Sequence, residues 1–229
     1  MNVTVIEGCG ISFTADDVLR SLGMPSNHRF SVPTRKLLEQ TKELARPKAL
    51  YMDFPIEKRT EKMIKAGELC LHSDRLAENM RESAKVYPFL CTCGAELADF
   101  AETLTDISDI FAFDAIMEFY SRLMVLRVRE VIRGELPEGF VPRRDYPGDL
   151  WGWEIRELKK LFDSFGDAAA EIGVSLSEYY MMTPLKSVSG VFYGVQETEK
   201  ECAVCTVADC PRRETAYREK EYLESLYRI

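Results

Sequence analysis

The chain has 229 residues, of which 46% are apolar, enough to bury a full core as one large domain or two small ones. Thirty Lys and Arg against 38 Asp and Glu leave a net charge of −8, which repels phosphate backbones and argues against a nucleic-acid partner. No apolar run reaches the roughly 18 residues that a membrane span needs. The start, MNVTVIEGCG, lacks the basic and apolar regions of a signal peptide, so a soluble cytoplasmic protein is expected. Seven cysteines, an odd number in a chain read as cytoplasmic, favour metal binding or buried thiols over a disulfide framework.

In chain order, VTVIEG reads as a short strand. Thr14-Ala15-Asp16-Asp17 has the form of a capping box opening a helix through Leu22, stopped by Gly23. Residues 24–33 read as a loop. A helix is expected over about 33–45, with Leu37, Leu38 and Leu44 apolar and Pro47 beyond its end. Strands follow at 48–54 and 86–93, with a charged helical stretch at 74–84 between them. Gly94 separates the second strand from a helix over 95–104. The longest helix is expected over about 108–133, where Ile110, Phe113, Met117, Tyr120 and Met124 recur at spacings of three and four.

Three Pro and four Gly within residues 134–153 interrupt regular structure. A second amphipathic helix is expected over 154–172, its buried stripe formed by Ile155, Leu158, Leu161, Phe162, Phe165, Ala169 and Ile172. Strand candidates at 178–182 and 187–196 precede a cysteine-containing tail and a C-terminal helix from about Thr215. Short strands separated by long helices, without strict βαβ alternation, point to an α+β fold with an antiparallel sheet.

Two features carry chemistry. One is Arg144-Asp145-Tyr146-Pro147-Gly148-Asp149 together with the later EYYMMTPLKSVSG. The other is Cys202-x2-Cys205-x4-Cys210. Short intervals let three thiolates converge on one zinc ion or iron–sulfur cluster, with Cys9, Cys70, Cys91, Cys93 or solvent as a fourth ligand. Three reduced thiols without metal remain the alternative. The two histidines, His28 and His72, have no partner pattern, and the chain has no Ser-His-acid signature, Walker loop or dinucleotide fingerprint.

The order Arg-x-x-Pro-Gly, an amphipathic helix, then IGVSLSEYYMMTPLKSVSG resembles the activation domain of vitamin B12-dependent methionine synthase. So does the preceding helix FDAIMEFYSRLMVLRVREVIR. The resemblance covers residues 104–194 well and the first hundred loosely, residues 1–60 included. Residues 200–229 form a cysteine-containing tail with a C-terminal helix. The whole of 1–229 reads as a single domain of this kind: an antiparallel sheet flanked by long helices.

The resemblance implies binding of S-adenosylmethionine and reductive reactivation of cobalamin carried by a partner methyltransferase or corrinoid protein. A flavodoxin- or ferredoxin-type donor supplies the electron, and the domain acts in trans. It places a carboxylate-binding arginine at Arg144 and a glutamate facing the ligand's ammonium at Glu118. Backbone lining the adenosine falls at Tyr146 and Gly148. A solvated loop arginine and a surface glutamate on a long helix are the plain alternatives. Asp149 stands where the family usually has Tyr. A second expectation is therefore a corrinoid-docking module without methyl donation, and a third is a cysteine-ligated metal protein on the same fold.

Overall fold

The computed structural model describes residues 3–8, 11–148 and 153–196. Cys9, Asp149, Trp151, the three tail cysteines and the expected C-terminal helix lie outside them.

A six-stranded sheet organises the chain, and every pairing in it is antiparallel. Its order is β1 (Val3–Glu7), β2 (Lys48–Met52), β7 (Lys85–Thr92), β11 (Ser187–Gln196) and β8 (Phe140–Asp145), with β3 (Phe54–Pro55) continuing along β7 beside β2. A three-stranded meander, β4 (Lys58–Thr60), β5 (Met63–Ala66) and β6 (Leu69–His72), forms a second sheet. A small hairpin pairs β9 (Ser175–Leu176) with β10 (Met182–Thr183).

The central strands are buried on both faces, and their alternation sorts side chains between two layers. Tyr87, Phe89 and Cys91 of β7 and Phe192 of β11 face the long helix α5 (Ile107–Glu135), meeting Met124, Val125, Val128 and Ile132. Val86, Leu90, Val191 and Tyr193 face the meander, α3 (Asp74–Asn79), α6 (Leu158–Phe165) and α7 (Ala168–Glu171). A third cluster packs the first half of α5 against α1 (Ala15–Ser21), α2 (Ser31–Thr41) and α4 (Ala95–Ala101).

Local chemistry sets the helix ends. Thr14 caps α1 in a full capping box with Asp17. Those hydrogen bonds from Thr14 hold the Asp17 carboxyl below its ordinary value. Asp106 caps α5 by accepting from the Ser108 and Asp109 amides at 2.8 and 3.2 Å. At the other end Leu136 turns to extended backbone, as a residue before proline prefers. Between these stops α5 runs 29 residues, and Phe113, Met117, Tyr120 and Met124 are buried as expected, whereas Ile110 is 46% exposed.

Four expectations change. The helix expected over 154–172 is three pieces: a 3-10 turn Ile155–Glu157, α6 and α7, broken at Gly166 with φ +55°. Ile155 faces outward at 45% exposed, while the rest of the stripe packs inward. The stretch 134–153 is not wholly irregular, since it holds the tail of α5 and edge strand β8. The helix expected over 33–45 starts earlier, at Ser31, and ends at Thr41. The strand expected at 178–182 is instead a turn, with β9 before it and β10 after.

Candidate functional site

Residues 144–148 follow the outer edge of the sheet, and Glu118 lies on α5. β11 runs down the sheet with β8 as its outer neighbour, pairing Phe192 with Arg144 and Val191 with Asp145. Arg144 therefore shares the face of Phe192 and α5. Its guanidinium carbon sits 5.8 Å from the centroid of the Tyr146 ring. No ion pair links Arg144 to a carboxylate among the described residues. Asp145 points to the opposite face, where its carboxylate accepts from Asn79 at 3.0 Å and from the Tyr193 hydroxyl.

Tyr146 is half-buried and packs edge-on against Phe89, with centroids 6.0 Å apart. It needs Gly190 beneath it. A Cβ at Gly190 would lie 2.4 Å from the Asp145 carbonyl oxygen and 2.9 Å from Tyr146 Cδ1. The SVSG run thus ends on glycine where the edge strand crosses closest. The loop after Tyr146 turns at Gly148, whose φ is +84°. Its amide donates to the Trp153 carbonyl at 2.7 Å, closing the loop across the residues not described.

Glu118 is half-buried on α5. One turn to either side, Asp114 pairs with Lys186 Nζ at 2.9 Å and the Ser121 hydroxyl donates to the Lys186 carbonyl. These contacts turn the 114–118–121 stripe of α5 toward the start of β11. Arg144 and Tyr146 are brought together directly. Glu118 lies on the α5 stripe that turns toward the start of β11. Gly148 is exposed at the end of the row.

Sequence reasoning gave no role to residues 184–187, which support this edge. Besides the Lys186 contacts, Ser187 Oγ donates to Thr92 Oγ1 at 3.0 Å. These are polar residues from distant segments, and nothing in their local spacing announces the meeting.

The metal reading rests on Cys202, Cys205 and Cys210, all outside the described residues. Among the described residues no group of three or more His, Cys, Asp or Glu could hold a metal ion. Two of the proposed fourth ligands are poorly suited. Cys91 and Cys93 are both 0% exposed. Burial raises both thiols, Cys93 up to about 11, so neither readily supplies a thiolate. Cys70, half-buried on β6, is the more accessible thiol of the three. No described helix is long and apolar enough to cross a membrane.

No family model matches the chain, and no curated protein matches it in sequence. A solved structure of "the MetH Reactivation Domain bound to AdoHcy" is similar, with a TM-score of 0.61 and 13% sequence identity, over 87% of this chain and 80% of that one. The chain has the fold of that domain.

Proposed function

We propose that the chain binds S-adenosylmethionine along the β8 edge and serves the reductive reactivation of a cobalamin-bearing methyltransferase or corrinoid protein. The observation that carries this reading is the fold shared with a domain solved with AdoHcy, in a chain whose residues 144–148 and 178–190 resemble the family's motifs. AdoHcy is S-adenosylhomocysteine, the product left when S-adenosylmethionine gives up its methyl group.

The local chemistry suits the ligand. A guanidinium with no carboxylate partner among the described residues matches an amino-acid carboxylate, which it grips with parallel N–H bonds. Glu118 supplies the charge that an ammonium or sulfonium needs. Tyr146, held edge-on by Phe89, offers a ring at the boundary of core and solvent where an adenine or ribose can lie. Gly148 keeps the backbone low beside it. S-adenosylmethionine supplies the methyl group, the partner's cobalt receives it, and an electron donor of the flavodoxin or ferredoxin type reduces that cobalt beforehand. The chain's own task is to bind and orient the donor and to keep its ends fixed.

Calorimetric titration with S-adenosylmethionine tests the reading. One ligand should bind per chain. Arg144→Ala should weaken binding by about 1.5–3 kcal/mol, the worth of a charge-assisted hydrogen bond. Absence of binding at millimolar ligand would favour a docking module that has given up methyl donation.

A further inference from the structure

The opposite edge of the sheet holds a second cavity that the reading above does not use. It measures about 260 Å³ and is lined by Glu7, Gly8, Ile11, Lys42, Ala45, Arg46, Pro47 and Tyr120. It opens where the end of β1 meets the segment after α2, on the far side of the sheet from β8. Residues 9–10, between two of its walls, lie outside those described.

Two of its charged groups form no ion pair with a described residue. Glu7 forms no ion pair with any described residue, and it does not reach Arg46. Arg46 donates through Nη1 to the Glu43 and Ala45 carbonyls at 2.8 and 2.9 Å, which fixes the guanidinium without neutralising it. Lys42, by contrast, is already held by Glu39 at 2.5 Å. Tyr120 is 4% exposed, and its hydroxyl hydrogen-bonds no described residue. Burial alone raises that phenol, with no partner contributing.

The remaining walls are apolar: Ile11, Ala45 and Pro47. Gly8 is also built into the place. A Cβ there would lie 2.5 Å from Pro47 Cγ and 3.0 Å from Met124 Sδ. An acid and a base without an ion-pair partner among the described residues, together with a phenol, therefore line one small space with apolar walls. Drug-sized ligands use pockets of roughly 300–1,000 Å³, so the occupant is smaller than these.

We infer that this cavity binds a small zwitterion, an α-amino acid with an apolar side chain. Its carboxylate meets Arg46, its ammonium meets Glu7, and its side chain lies on Ile11, Ala45 and Pro47 with Tyr120 bonding the polar end. Neither a simple anion nor a simple cation satisfies both charged groups.

Leucine, isovalerate and isopentylamine separate the cases, because the last two each lack one charge. In calorimetry, leucine should bind at millimolar concentration or better, and each half-ligand should bind at least about tenfold more weakly. Glu7→Gln and Arg46→Gln, both at exposed positions, should each cost leucine about tenfold while circular dichroism stays unchanged. Tyr120→Phe should weaken leucine binding with the fold intact. Leucine should bind equally well to protein saturated with S-adenosylmethionine, and Arg144→Ala should leave it unaffected. The inference is overturned if leucine does not bind, if a half-ligand binds as well as leucine, or if S-adenosylmethionine displaces it. Failure of S-adenosylmethionine to bind at all would leave the leucine result standing on its own.

Discussion

Cys91 lies on the inner strand β7 and Cys93 just past its end, and burial decides the chemistry of both. The Cys93 thiol is raised to about 11 from an ordinary 9.0, chiefly by desolvation. The folded state therefore keeps this proton to higher pH than the unfolded chain does. Its contribution is intact below about 9 and is lost as pH rises toward 11, so stability should fall across that window in an alkaline denaturation series. Peptide mapping after iodoacetamide at pH 8 should find Cys70 labelled in the native protein. Cys91 and Cys93 should be labelled only after denaturant is added. Equal labelling of all three would contradict their placement in the core.

Glu157 shows a different use of burial. It is 5% exposed, and its carboxylate accepts the His72 amide at 2.8 Å and Lys160 Nζ at 2.6 Å. Lys160 also donates to the Cys70 carbonyl at 2.9 Å, so this cluster fastens the start of α6 to meander strand β6. Glu157→Ala should destabilise by about 2 kcal/mol in urea unfolding, since it leaves an amide and an ammonium short of an acceptor. A change near zero would mean that solvent already satisfies both groups.

At the scale of elements, legibility followed periodicity. The 29-residue α5 was readable because its apolar spacing is sustained over many turns. The Thr14 box was readable because capping is encoded within four residues. The strand β8 was not, because FVPRRD has no clean alternation and sits among turn formers. It is a strand only through pairing with β11, a segment some fifty residues later. The meander at 58–72 was missed for a similar reason: its strands are three or four residues long and carry Lys58, Lys65 and His72 on their exposed face. The break at Gly166 was hidden because the apolar stripe continues through it.

Of the candidate site, the motif residues were legible and their assembly was not. Arg144 lies on β8 and Tyr146 one residue past its end, and extended backbone there brings the two side chains together. That α5 turns the Glu118 stripe toward the start of β11 depends on the Lys186 contacts, which no local pattern encodes. The β8–β11 crossing gives a prediction of its own. Gly190→Val should push β8 away from β11, lowering the melting temperature and abolishing S-adenosylmethionine binding together. Val191→Ala, on the other face of the same strand, should destabilise by about 1–3 kcal/mol through lost burial and leave binding intact. If Gly190→Val kept full affinity, Tyr146 would have no part in the site.

For the whole molecule, one sheet separates two jobs. One face is sealed by the meander, α3, α6 and α7, and its buried core is almost wholly apolar. The other face carries α5, with polar residues gathered at both of its edges: Arg144 and Tyr146 on the β8 side, Glu7, Arg46 and Tyr120 on the β1 side. An all-antiparallel sheet has no strand crevice of the kind that binds dinucleotides in doubly wound folds, so its ligands are expected at edges. The acidic net charge of −8 favours partners other than nucleic acid.

The most direct measurement is a crystal structure of the protein grown with S-adenosylhomocysteine. The account predicts ligand density along the β8 edge, with its carboxylate on Arg144, its ammonium toward Glu118 and its adenosine beside Tyr146 and Gly148. Density confined to the cavity at Glu7, Arg46 and Tyr120, or a β8 edge left empty at saturating ligand, would contradict it.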